Sequence, residues 1–462
     1  MNHKPIALFL LLTFLVACGR TTQPTASLKN AIPSPTLEPT PVVKPTAAPG
    51  TVYVDPAIDL GPISPYIFGT NYGPMHTILP EMLTYAMNAG ITTLRWPGGA
   101  WGDSIDIQTF QIDPFIEFCD QMGALPTISV RLLGGTPETA ANLVHYTNIE
   151  KKYGVVYWSI GNEPTLYEEH TGETYDTVRF NQEWRAIAEA MIAVDPTIQL
   201  MGPELHQWGT SLATTPKDSS GRDWMTEFLK ANGDLVDVVT VHRYPLWKPG
   251  GESVTIQELR QNTNEWPGLV TYLRTLIHET TGRDLPIAFT EVNSDPQSVI
   301  AGKATPDSFY NAIWYADVLG RLIQEQVFMV NQWVISQRES GLSLISGNDL
   351  RPTYYTFLMY KNFGSELIYA ASGLSDISVY AAKREDDTLT VIIINLTDDE
   401  QRPTLQIQGV TPGDAQVWLF DSSHNAENMG MQAIPANGVL TLPAQSVILY
   451  IIPQAHEIIE DD

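Results

Sequence analysis

Cysteine is scarce in this sequence, which holds only Cys18 and Cys119 among its 462 residues. Cys18 precedes the part of the chain that has the composition of a folded domain. That part therefore has a single thiol and cannot form an internal disulfide. Cys119 lies in an apolar helical pattern, so we expect it to be a core residue.

Positive charge is scarce as well. The chain carries 26 Lys and Arg residues against 52 Asp and Glu residues, which gives a formal net charge of −26 at pH 7. Nucleic acids and anionic membrane surfaces are bound through clustered Lys and Arg, so this balance argues against both as partners. A neutral polysaccharide remains compatible with it.

The motifs of several common enzyme classes are missing. The segment His278-Glu279-Thr280-Thr281-Gly282 lacks the second histidine of a zinc-binding helix. The sequence has neither a Gly-x-Ser-x-Gly elbow nor a phosphate-binding loop. No metal and no organic cofactor is implied.

Residues 1–18 have the features of a targeting segment. A basic start precedes an apolar run over residues 6–15, which is too short to span a bilayer as a helix of about 20 residues. The segment Leu15-Val16-Ala17-Cys18-Gly19 resembles a bacterial lipobox, which implies cleavage before Cys18 and lipid attachment to its thiol. A plain secretory signal with a chance cysteine is the alternative.

Residues 19–50 are rich in Pro, Thr, Ser and Ala, and they contain almost no large apolar side chain. Such a segment cannot bury a core, so we expect an extended, semi-rigid tether. Together with the lipobox it predicts a lipid-anchored lipoprotein, extracellular or on the cell surface, that contacts a membrane only through its N-terminal lipid.

Apolar strand-like runs alternate with amphipathic helical stretches over residues 63–364. This pattern is typical of a parallel sheet with helices packed outside it. Eight strand-helix units in about 300 residues predict an α/β fold of the (β/α)8, or TIM barrel, type. The eight predicted strands are Tyr66–Asn71, Ile91–Arg95, Pro126–Arg131, Val155–Ile160, Thr197–Met201, Val236–His242, Pro286–Thr290 and Phe328–Val334.

The chain changes character over residues 365–455, where short β-rich runs are separated by Asp, Gly and Pro turns. This indicates a C-terminal β-sandwich that buttresses the barrel. A sugar-binding role is less favoured, because no aromatic cluster repeats at one spacing. Residues 51–62 begin with a similar composition, so we expect them to pair into the sandwich. An acidic tail follows at 456–462. The predicted runs are Ile377–Ala381, Thr388–Asn395, Thr404–Ile407 and Val447–Ile452.

Two glutamates stand where predicted strands end. Glu163 follows the fourth strand in the segment Gly161-Asn162-Glu163-Pro164, and Glu291 follows the seventh. Barrel enzymes place their active sites at the C-terminal ends of the strands, and a pair of carboxylates there fits a glycosidase. For either glutamate taken alone, an ordinary loop carboxylate is the alternative interpretation.

Four segments give the chain its resemblance to a known group of enzymes. They are Gly161-Asn162-Glu163-Pro164, Thr290-Glu291, Thr93-Leu94-Arg95-Trp96-Pro97-Gly98-Gly99 and Val241-His242-Arg243-Tyr244-Pro245. On these segments the sequence resembles glycoside hydrolase clan A, whose members are retaining (β/α)8-barrel glycosidases. The Arg-Trp-Pro-Gly-Gly run and the terminal sandwich look most like families 51, 44 and 39 of that clan.

The resemblance implies that Glu163 is the acid/base and Glu291 the nucleophile. A retaining mechanism needs the two carboxyl groups about 5–5.5 Å apart. It also needs surroundings that keep their pKa values different. Arg95 would keep the nucleophile charged, or else form a structural ion pair.

Four further residues are candidates for substrate binding. The amide of Asn162 would hold a sugar hydroxyl, with a turn-forming asparagine as the alternative. His242 and Tyr244 would orient Glu291, although a lone histidine is more often structural. Trp333, at the end of strand eight, would stack on a sugar ring. Trp96, Trp101, Trp208 and Trp247 are additional rim candidates, against the general tendency of tryptophan to be a core residue.

These features predict a secreted, lipid-anchored retaining glycoside hydrolase. Its expected substrates are plant-type polysaccharides or oligosaccharides of the β-glucan, xylan or arabinan type. A non-catalytic carbohydrate-binding lipoprotein with a degenerate barrel is the alternative from another class. The presence of both glutamates favours the enzyme. Sugar identity, linkage and endo or exo action depend on loops whose shape no sequence pattern gives.

Overall fold

Strands and helices alternate along the computed structural model, which describes residues 44–74, 76–248, 252–411 and 413–453. The predicted targeting segment with Cys18, most of the predicted tether and the predicted acidic tail lie outside these ranges. Among the helices within them, none combines the length and the apolar character needed to cross a membrane.

The strands are numbered in chain order, so β1 precedes the barrel and barrel strand four is β5. The barrel strands are β2 (Gly69–Asn71), β3 (Thr93–Trp96), β4 (Leu125–Val130), β5 (Tyr157–Ile160), β6 (Gln199–Leu205), β7 (Val238–Arg243), β8 (Ile287–Val292) and β9 (Met329–Gln332). The others are β1 (Thr51–Pro62), β10 (Ile345–Ser346), β11 (Asp349–Leu350), β12 (Glu366–Ser372), β13 (Ile377–Lys383), β14 (Leu389–Asn395), β15 (Thr404–Ile407), β16 (Asp414–Phe420), β17 (Glu427–Ala433) and β18 (Ser446–Ile452).

The helices are α1 (Leu83–Asn88), α2 (Trp101–Ser104), α3 (Thr109–Met122), α4 (Pro137–Val144), α5 (Tyr167–Thr171), α6 (Thr177–Val194), α7 (Trp224–Asn232), α8 (Ile256–Asn262), α9 (Trp266–Thr281), α10 (Phe309–Gln324) and α11 (Pro352–Tyr360). Short 3-10 segments cover Pro80–Met82, Pro164–Leu166 and Thr263–Glu265, and a π segment covers His145–Glu150.

Strands β2 to β9 form a closed barrel in chain order, and every neighbouring pair is parallel. The predicted (β/α)8 barrel is confirmed. Helix α6 shows why the helices surround it. The Asp176 side chain caps its first turn, and Phe180, Trp184, Ile187 and Met191 recur every three or four residues and are buried. Such a stripe places one helix face against the strands.

The remaining long strands form one eight-stranded sheet in the order β15-β1-β12-β13-β14-β18-β16-β17. Alternate residues of β14 serve two different cores. Val391 and Ile393 belong to a core that the curled sheet encloses, whereas Ile392 and Ile394 pack into the core of the barrel domain. The sheet corresponds to the predicted C-terminal sandwich. Within it, β1 pairs with β12 and β15.

Helix α10 lies between the barrel and the sheet, and 13 of its 16 residues are buried. Apolar residues all round a helix are expected when both of its sides face a core. Asp317 on this helix is fully buried, and it accepts hydrogen bonds from Tyr380 of β13 (2.5 Å) and from Arg321 (2.9 Å). These contacts join the two parts into a single compact unit.

The sheet contacts begin earlier in the chain than the predicted tether allows. The hydroxyl of Tyr369 donates to the carbonyl of Pro45, and the amide of Gly50 donates to the carbonyl of Gly373 at 3.4 Å. The last residues of the segment predicted as a tether therefore lie on the sheet. Cys119 is 1% exposed, as expected for a core residue, and burial raises the pKa of its thiol.

Candidate active site

The two glutamates lie at the C-terminal end of the barrel. Glu163 follows β5 by three residues, and Glu291 is the fifth residue of β8. A carboxylate oxygen of each lies within 4.8 Å of the other and of a ring nitrogen of His242. The structure thus brings together two residues that are 128 positions apart in the chain.

The backbone is irregular where it presents these side chains. Strand pairing shifts register between Gly202 and Leu205, between Val241 and His242, and between Phe289 and Val292. Such irregularities redirect side chains at the rim of a barrel. Glu163 and Glu204 adopt left-handed backbone conformations, with φ of 47° and 57°. Non-glycine residues rarely adopt this region, and strain of this kind clusters at functional sites.

Arg95, on β3, is fully buried and connects several residues of the site. Its Nη1 donates to Oε1 of Glu291 and to Oδ1 of Asn71, both at 3.0 Å, and its Nη2 donates to Oδ1 of Asn162 at 2.8 Å. The bond from Arg95 orients the Asn162 side chain and leaves its amide nitrogen as the end available to a ligand.

His242, on β7, lies between carboxylates. Its Nδ1 is 2.9 Å from Oε1 of Glu163 and 3.6 Å from Oε2 of Glu291, and its Nε2 is 3.0 Å from Oε2 of Glu204. The ring is fully buried, so it reaches a bound sugar through the glutamates and not directly. Tyr244 also contacts Glu291, and its hydroxyl donates to Oε2 at 2.7 Å.

Glu204 is a third carboxylate of the site, and it is fully buried. Sequence reasoning missed it. It accepts hydrogen bonds from the hydroxyls of Ser159 and Thr290, and it lies 3.5 Å from Nη2 of Arg95. Burial works against its charge, but Arg95 and His242 outweigh this effect and lower its pKa to about 2. Glu204 is therefore a carboxylate throughout the neutral range.

The buried charges shift the pKa values of the other groups. Burial alone would lower the pKa of His242, but the charge of Glu291 and the contacts with Glu163 and Glu204 raise it to about 9. Burial would raise the pKa of Glu163, but His242 lowers it below its usual range. Burial, together with the charge of Glu163, raises the pKa of Glu291 against His242 and Arg95. Negative charge therefore rests on Glu163 beside a cationic His242.

Asp103 fixes the loop that carries Glu163. This buried carboxylate, on α2, accepts from the backbone amides of Leu132 (2.9 Å) and Asn162 (2.7 Å) and from the hydroxyl of Tyr167. It therefore links the loops that follow three neighbouring barrel strands. The sequence holds no signal for this role beyond the position of Asp103 shortly after the Arg-Trp-Pro-Gly-Gly run.

A cavity of about 550 Å³ opens above the glutamates. Trp333 forms part of its wall, packed so closely on Gly99 that a Cβ at Gly99 would overlap the indole ring. Its other described lining residues are Ala100, Glu163, Leu166, Glu169, His170, His206, Gln207, Tyr244, Trp247, Glu291 and Pro296.

The other tryptophans named as rim candidates differ in position. Trp247 is 49% exposed and lines the cavity. Trp208 is fully buried and stacks on Tyr272, and Trp96 is 4% exposed and stacks on Phe115. Trp101 is half-buried and lies outside the cavity lining. Trp96 and Trp208 are thus core residues, and Trp247 is the rim candidate that the structure supports.

Among the described residues, Glu163, His242 and Glu291 form the one grouping whose donor atoms converge closely enough for a metal ion. Arg95 lies 3.0 Å from Glu291 and already supplies positive charge to this group. We therefore interpret the grouping as acid-base machinery.

More than half of the chain matches the model of a known enzyme family. The model of "Glycosyl hydrolases family 39" matches residues 141–395, which is 255 of the 462 residues and includes both glutamates. The chain belongs to glycosyl hydrolases family 39. The resemblance to clan A, drawn from four short segments, is confirmed.

One curated relative of this family 39 protein is alpha-L-arabinofuranosidase C of Emericella nidulans. It is 24% identical over a stretch that covers 29% of this chain and 35% of that enzyme. The matched stretch thus spans about a third of the relative's length.

Solved structures share the fold. A bifunctional glucanase-xylanase from a metagenome library and a family 44 xyloglucanase of Paenibacillus polymyxa each superpose with a TM-score of 0.69. Each is 17% identical, and the match covers 88% of this chain and 99% of theirs. The alpha-L-arabinofuranosidase of Thermotoga maritima superposes with a TM-score of 0.67 at 18% identity, over 87% of this chain and 99% of its own. At such identity the likeness establishes the fold alone.

The seven residues predicted for the site of the family 39 protein meet at one end of its barrel, but at different depths. Glu163, Glu291, Tyr244 and Trp333 line the cavity, whereas Arg95, Asn162 and His242 lie behind it. Besides Glu204 and Asp103, sequence reasoning missed the lining residues that the loops after β5 and β6 supply. They are Leu166, Glu169, His170, His206 and Gln207.

Proposed function

We propose that this family 39 protein is a retaining glycoside hydrolase that cleaves O-glycosidic bonds by double displacement. The observation that carries the proposal is the approach of carboxylate oxygens of Glu163 and Glu291 to within 4.8 Å. Retaining glycosidases hold their carboxyl groups about 5–5.5 Å apart, whereas inverting enzymes need about 6.5–9.5 Å to admit a water molecule. A gap this small favours direct attack by one carboxylate.

Glu291 suits the nucleophile. Arg95 and Tyr244 both donate to its carboxylate, and such bonds favour the charged form. The charge of Glu163 opposes that form. When Glu163 takes up a proton this repulsion disappears, so protonating the acid also prepares the nucleophile.

Glu163 suits the acid/base. Its side chain is 21% exposed and that of Glu291 is 5% exposed, so Glu163 can reach the oxygen of a departing group. In the first step it protonates that oxygen while Glu291 attacks the anomeric carbon. In the second step it takes a proton from the water that releases the sugar from Glu291.

The cavity favours neutral sugars. Among its described lining residues there is no Lys or Arg, while Glu163, Glu169 and Glu291 are acidic. The carboxylate of a uronic acid would meet these negative charges without a Lys or Arg to pair with. The names of the relatives, which include arabinofuranosidase, xyloglucanase and glucanase-xylanase, support neutral plant-type glycosides as substrates.

The substrate is tested with 4-nitrophenyl glycosides. The panel is β-D-xylopyranoside, β-D-glucopyranoside, α-L-arabinofuranoside and β-D-glucuronide, followed by reducing-sugar release from xylan, β-glucan and arabinan. We expect turnover of at least one neutral glycoside and none of the glucuronide. Preferred turnover of the glucuronide would contradict the neutral-sugar proposal. Binding of polysaccharide without any turnover would favour the non-catalytic alternative.

The roles are tested with Glu163→Ala and Glu291→Ala, with Glu189→Ala on the exposed side of α6 as a control. Glu291→Ala should lose turnover of every substrate, because no glycosyl-enzyme forms. Glu163→Ala should still react with a 2,4-dinitrophenyl glycoside, and added azide should restore its turnover with retained configuration. A fluorosugar trapped on a residue other than Glu291 would show that the assignment is wrong.

A further inference from the structure

Both ring nitrogens of His242 contact carboxylates that have different surroundings. Nε2 lies 3.0 Å from Glu204, and Nδ1 lies 2.9 Å from Glu163. The side chains of His242 and Glu204 have no exposed surface, whereas that of Glu163 is 21% exposed. Only one end of this chain of three groups opens to the cavity.

Glu204 is held so that it can only accept hydrogen bonds. The hydroxyls of Ser159 and Thr290 contact its two oxygens, and Arg95 lies 3.5 Å away. Its backbone amide donates to Oγ1 of Thr240 at 2.8 Å, which fixes the residue from behind. An ionised carboxylate has no proton to donate. The ring nitrogen facing Glu204 therefore carries the hydrogen of that contact, and Nδ1 is the nitrogen left to exchange one.

We infer that Glu163 and His242 hold the catalytic proton jointly, and that Glu204 is a positioning residue that confines its exchange to Nδ1. The inference rests on the proposed acid role of Glu163. At the start of the cycle the proton is on Nδ1. Before the first step the Nδ1–H bond breaks as an O–H bond forms on Glu163, so the ring becomes neutral and keeps its hydrogen on Nε2. Glu163 then gives this proton to the leaving oxygen, and the proton from water returns to the pair in the second step.

The electrostatics of the site agree with this arrangement. The contacts with its carboxylates raise the pKa of His242 to about 9, so the pair keeps its proton across the neutral range. Removing the charge of Glu204 would lower that pKa, and the proton would be lost at lower pH. The charged and titratable groups that face the ring and its carboxylates are Glu163, Glu204, Glu291, Arg95, Tyr244 and His206.

The experiment compares the pH dependence of kcat/KM in the wild type, Glu204→Gln and Ser159→Ala. Ser159→Ala is the matched control, because it removes one hydrogen bond to Glu204 but no charge. The substrates are the phenyl and 2,4-dinitrophenyl glycosides of the sugar that the wild type turns over fastest. The phenyl group leaves only with a proton, whereas the dinitrophenyl group needs none.

With the phenyl glycoside, Glu204→Gln should move the alkaline limb of the profile down by about one pH unit or more. Ser159→Ala should leave this limb in place. With the dinitrophenyl glycoside the shift should be absent, because this leaving group needs no proton. A general disturbance of the site would instead affect both substrates alike. An unmoved alkaline limb in Glu204→Gln, or equal effects on both substrates, would overturn the inference.

The wild type provides a second measurement in case Glu204→Gln does not fold. Nitrogen-15 NMR of labelled histidine distinguishes ring tautomers, and His242→Asn assigns the signal among the nine histidines. We expect the neutral ring at high pH to keep its hydrogen on Nε2, and a hydrogen on Nδ1 would overturn the inference. If the wild type turned over no glycoside at all, the proposed function would fail. Normal turnover with the wrong tautomer would contradict only the shared proton.

Discussion

Nη1 of Arg95 lies 3.0 Å from Oε1 of Glu291, and the guanidinium that makes this contact has no exposed surface. The same group reaches Asn162 at 2.8 Å and lies 3.5 Å from Glu204. One buried cation therefore balances two carboxylates and orients Asn162, the residue next to the proposed acid/base Glu163. A buried charge of this kind tolerates the loss of its partner poorly.

Replacing Arg95 by Met should impair both stability and turnover. Glu204 and Glu291 would lose their cation while staying buried, and breaking a buried pair in this way costs about 3–5 kcal/mol. Urea unfolding followed by circular dichroism gives the free energy of unfolding. Kinetics on the best aryl glycoside should show a large fall in kcat.

Arg402→Met is the matched control, because Arg402 forms an ion pair with Glu400 in which both side chains are at least half exposed. Exposed pairs contribute at most about 1 kcal/mol, so this variant should resemble the wild type. Equal stability of Arg95→Met and Arg402→Met would show that the buried ion pairs of Arg95 do not stabilise the fold.

The hydroxyl of Tyr244 provides a narrower test of Glu291, the proposed nucleophile. Tyr244→Phe removes the 2.7 Å bond to Oε2 of Glu291, and a bond to a charged group contributes about 1.5–3 kcal/mol. We expect kcat to fall by about 10- to 100-fold. The bond lowers the pKa of Glu291, so its loss raises that pKa. The acidic limb of the kcat/KM profile should then move to higher pH.

Tyr315→Phe is the control for Tyr244→Phe. Tyr315 is also buried, but its hydroxyl has no hydrogen-bond partner among the described residues. Its removal should change neither kcat nor the acidic limb. A profile of Tyr244→Phe that matches that of Tyr315→Phe would argue against a role for the hydroxyl in catalysis.

The barrel could be predicted because each of its strands is a short apolar run that ends in turn-forming or polar residues. The positions of Glu163 and Glu291 at strand ends could be predicted for the same reason. Glu204 was missed because Gly202 and Pro203 resemble the end of a strand. The strand continues instead to Leu205, and the left-handed conformation of Glu204 places its side chain under the site.

Contacts that depend on distant loops could not be predicted. Asp103 and Asn162 are 59 positions apart, and only the closed barrel brings them to 2.7 Å. His242 was expected beside Glu291, but its ring lies closer to Glu163.

In the sheet, β17 was missed because all of its residues are exposed, so it lacks the alternation that marks a half-buried strand.

The pH dependence of stability tests the charge on His242. Its pKa is raised from 6.5 to about 9 in the folded chain, so its contribution is fully present below 6.5 and is lost as pH rises through 9. The linked free energy is on the order of 3 kcal/mol. The pKa of Glu204 is lowered to about 2. Its contribution to the free energy of unfolding is therefore fully present above its usual pKa and is lost only as the pH falls through 2. Between pH 6.5 and 9 the change should therefore come from His242.

Urea unfolding of the wild type and of His242→Asn at several pH values measures this contribution. The wild type should lose stability between pH 6.5 and 9, and His242→Asn should show a flatter dependence. His278→Asn, at a histidine whose side chain is 63% exposed, should keep the wild-type slope. A slope that His242→Asn does not change would contradict a cationic His242.

The contact between the barrel and the sheet can be tested with two helical glycines that have opposite surroundings. Gly320, on α10, packs against the ring of Tyr380 so closely that a Cβ would overlap it. Gly268, on α9, is exposed, and a Cβ there would meet only Thr210 at 3.9 Å. Alanine is the better helix former by about 0.5–1 kcal/mol. Helix propensity alone would therefore stabilise both alanine variants.

Gly320→Ala should lower the free energy of unfolding by about 1–3 kcal/mol, because the added methyl group forces the ring of Tyr380 out of its packed position. Gly268→Ala should raise the free energy by up to about 1 kcal/mol. Urea unfolding of the two variants checks the opposite signs. If Gly320→Ala were stabilising, the sheet would have to move away from α10 at little cost, and the close packing of the two cores on this helix would not contribute to stability as we infer.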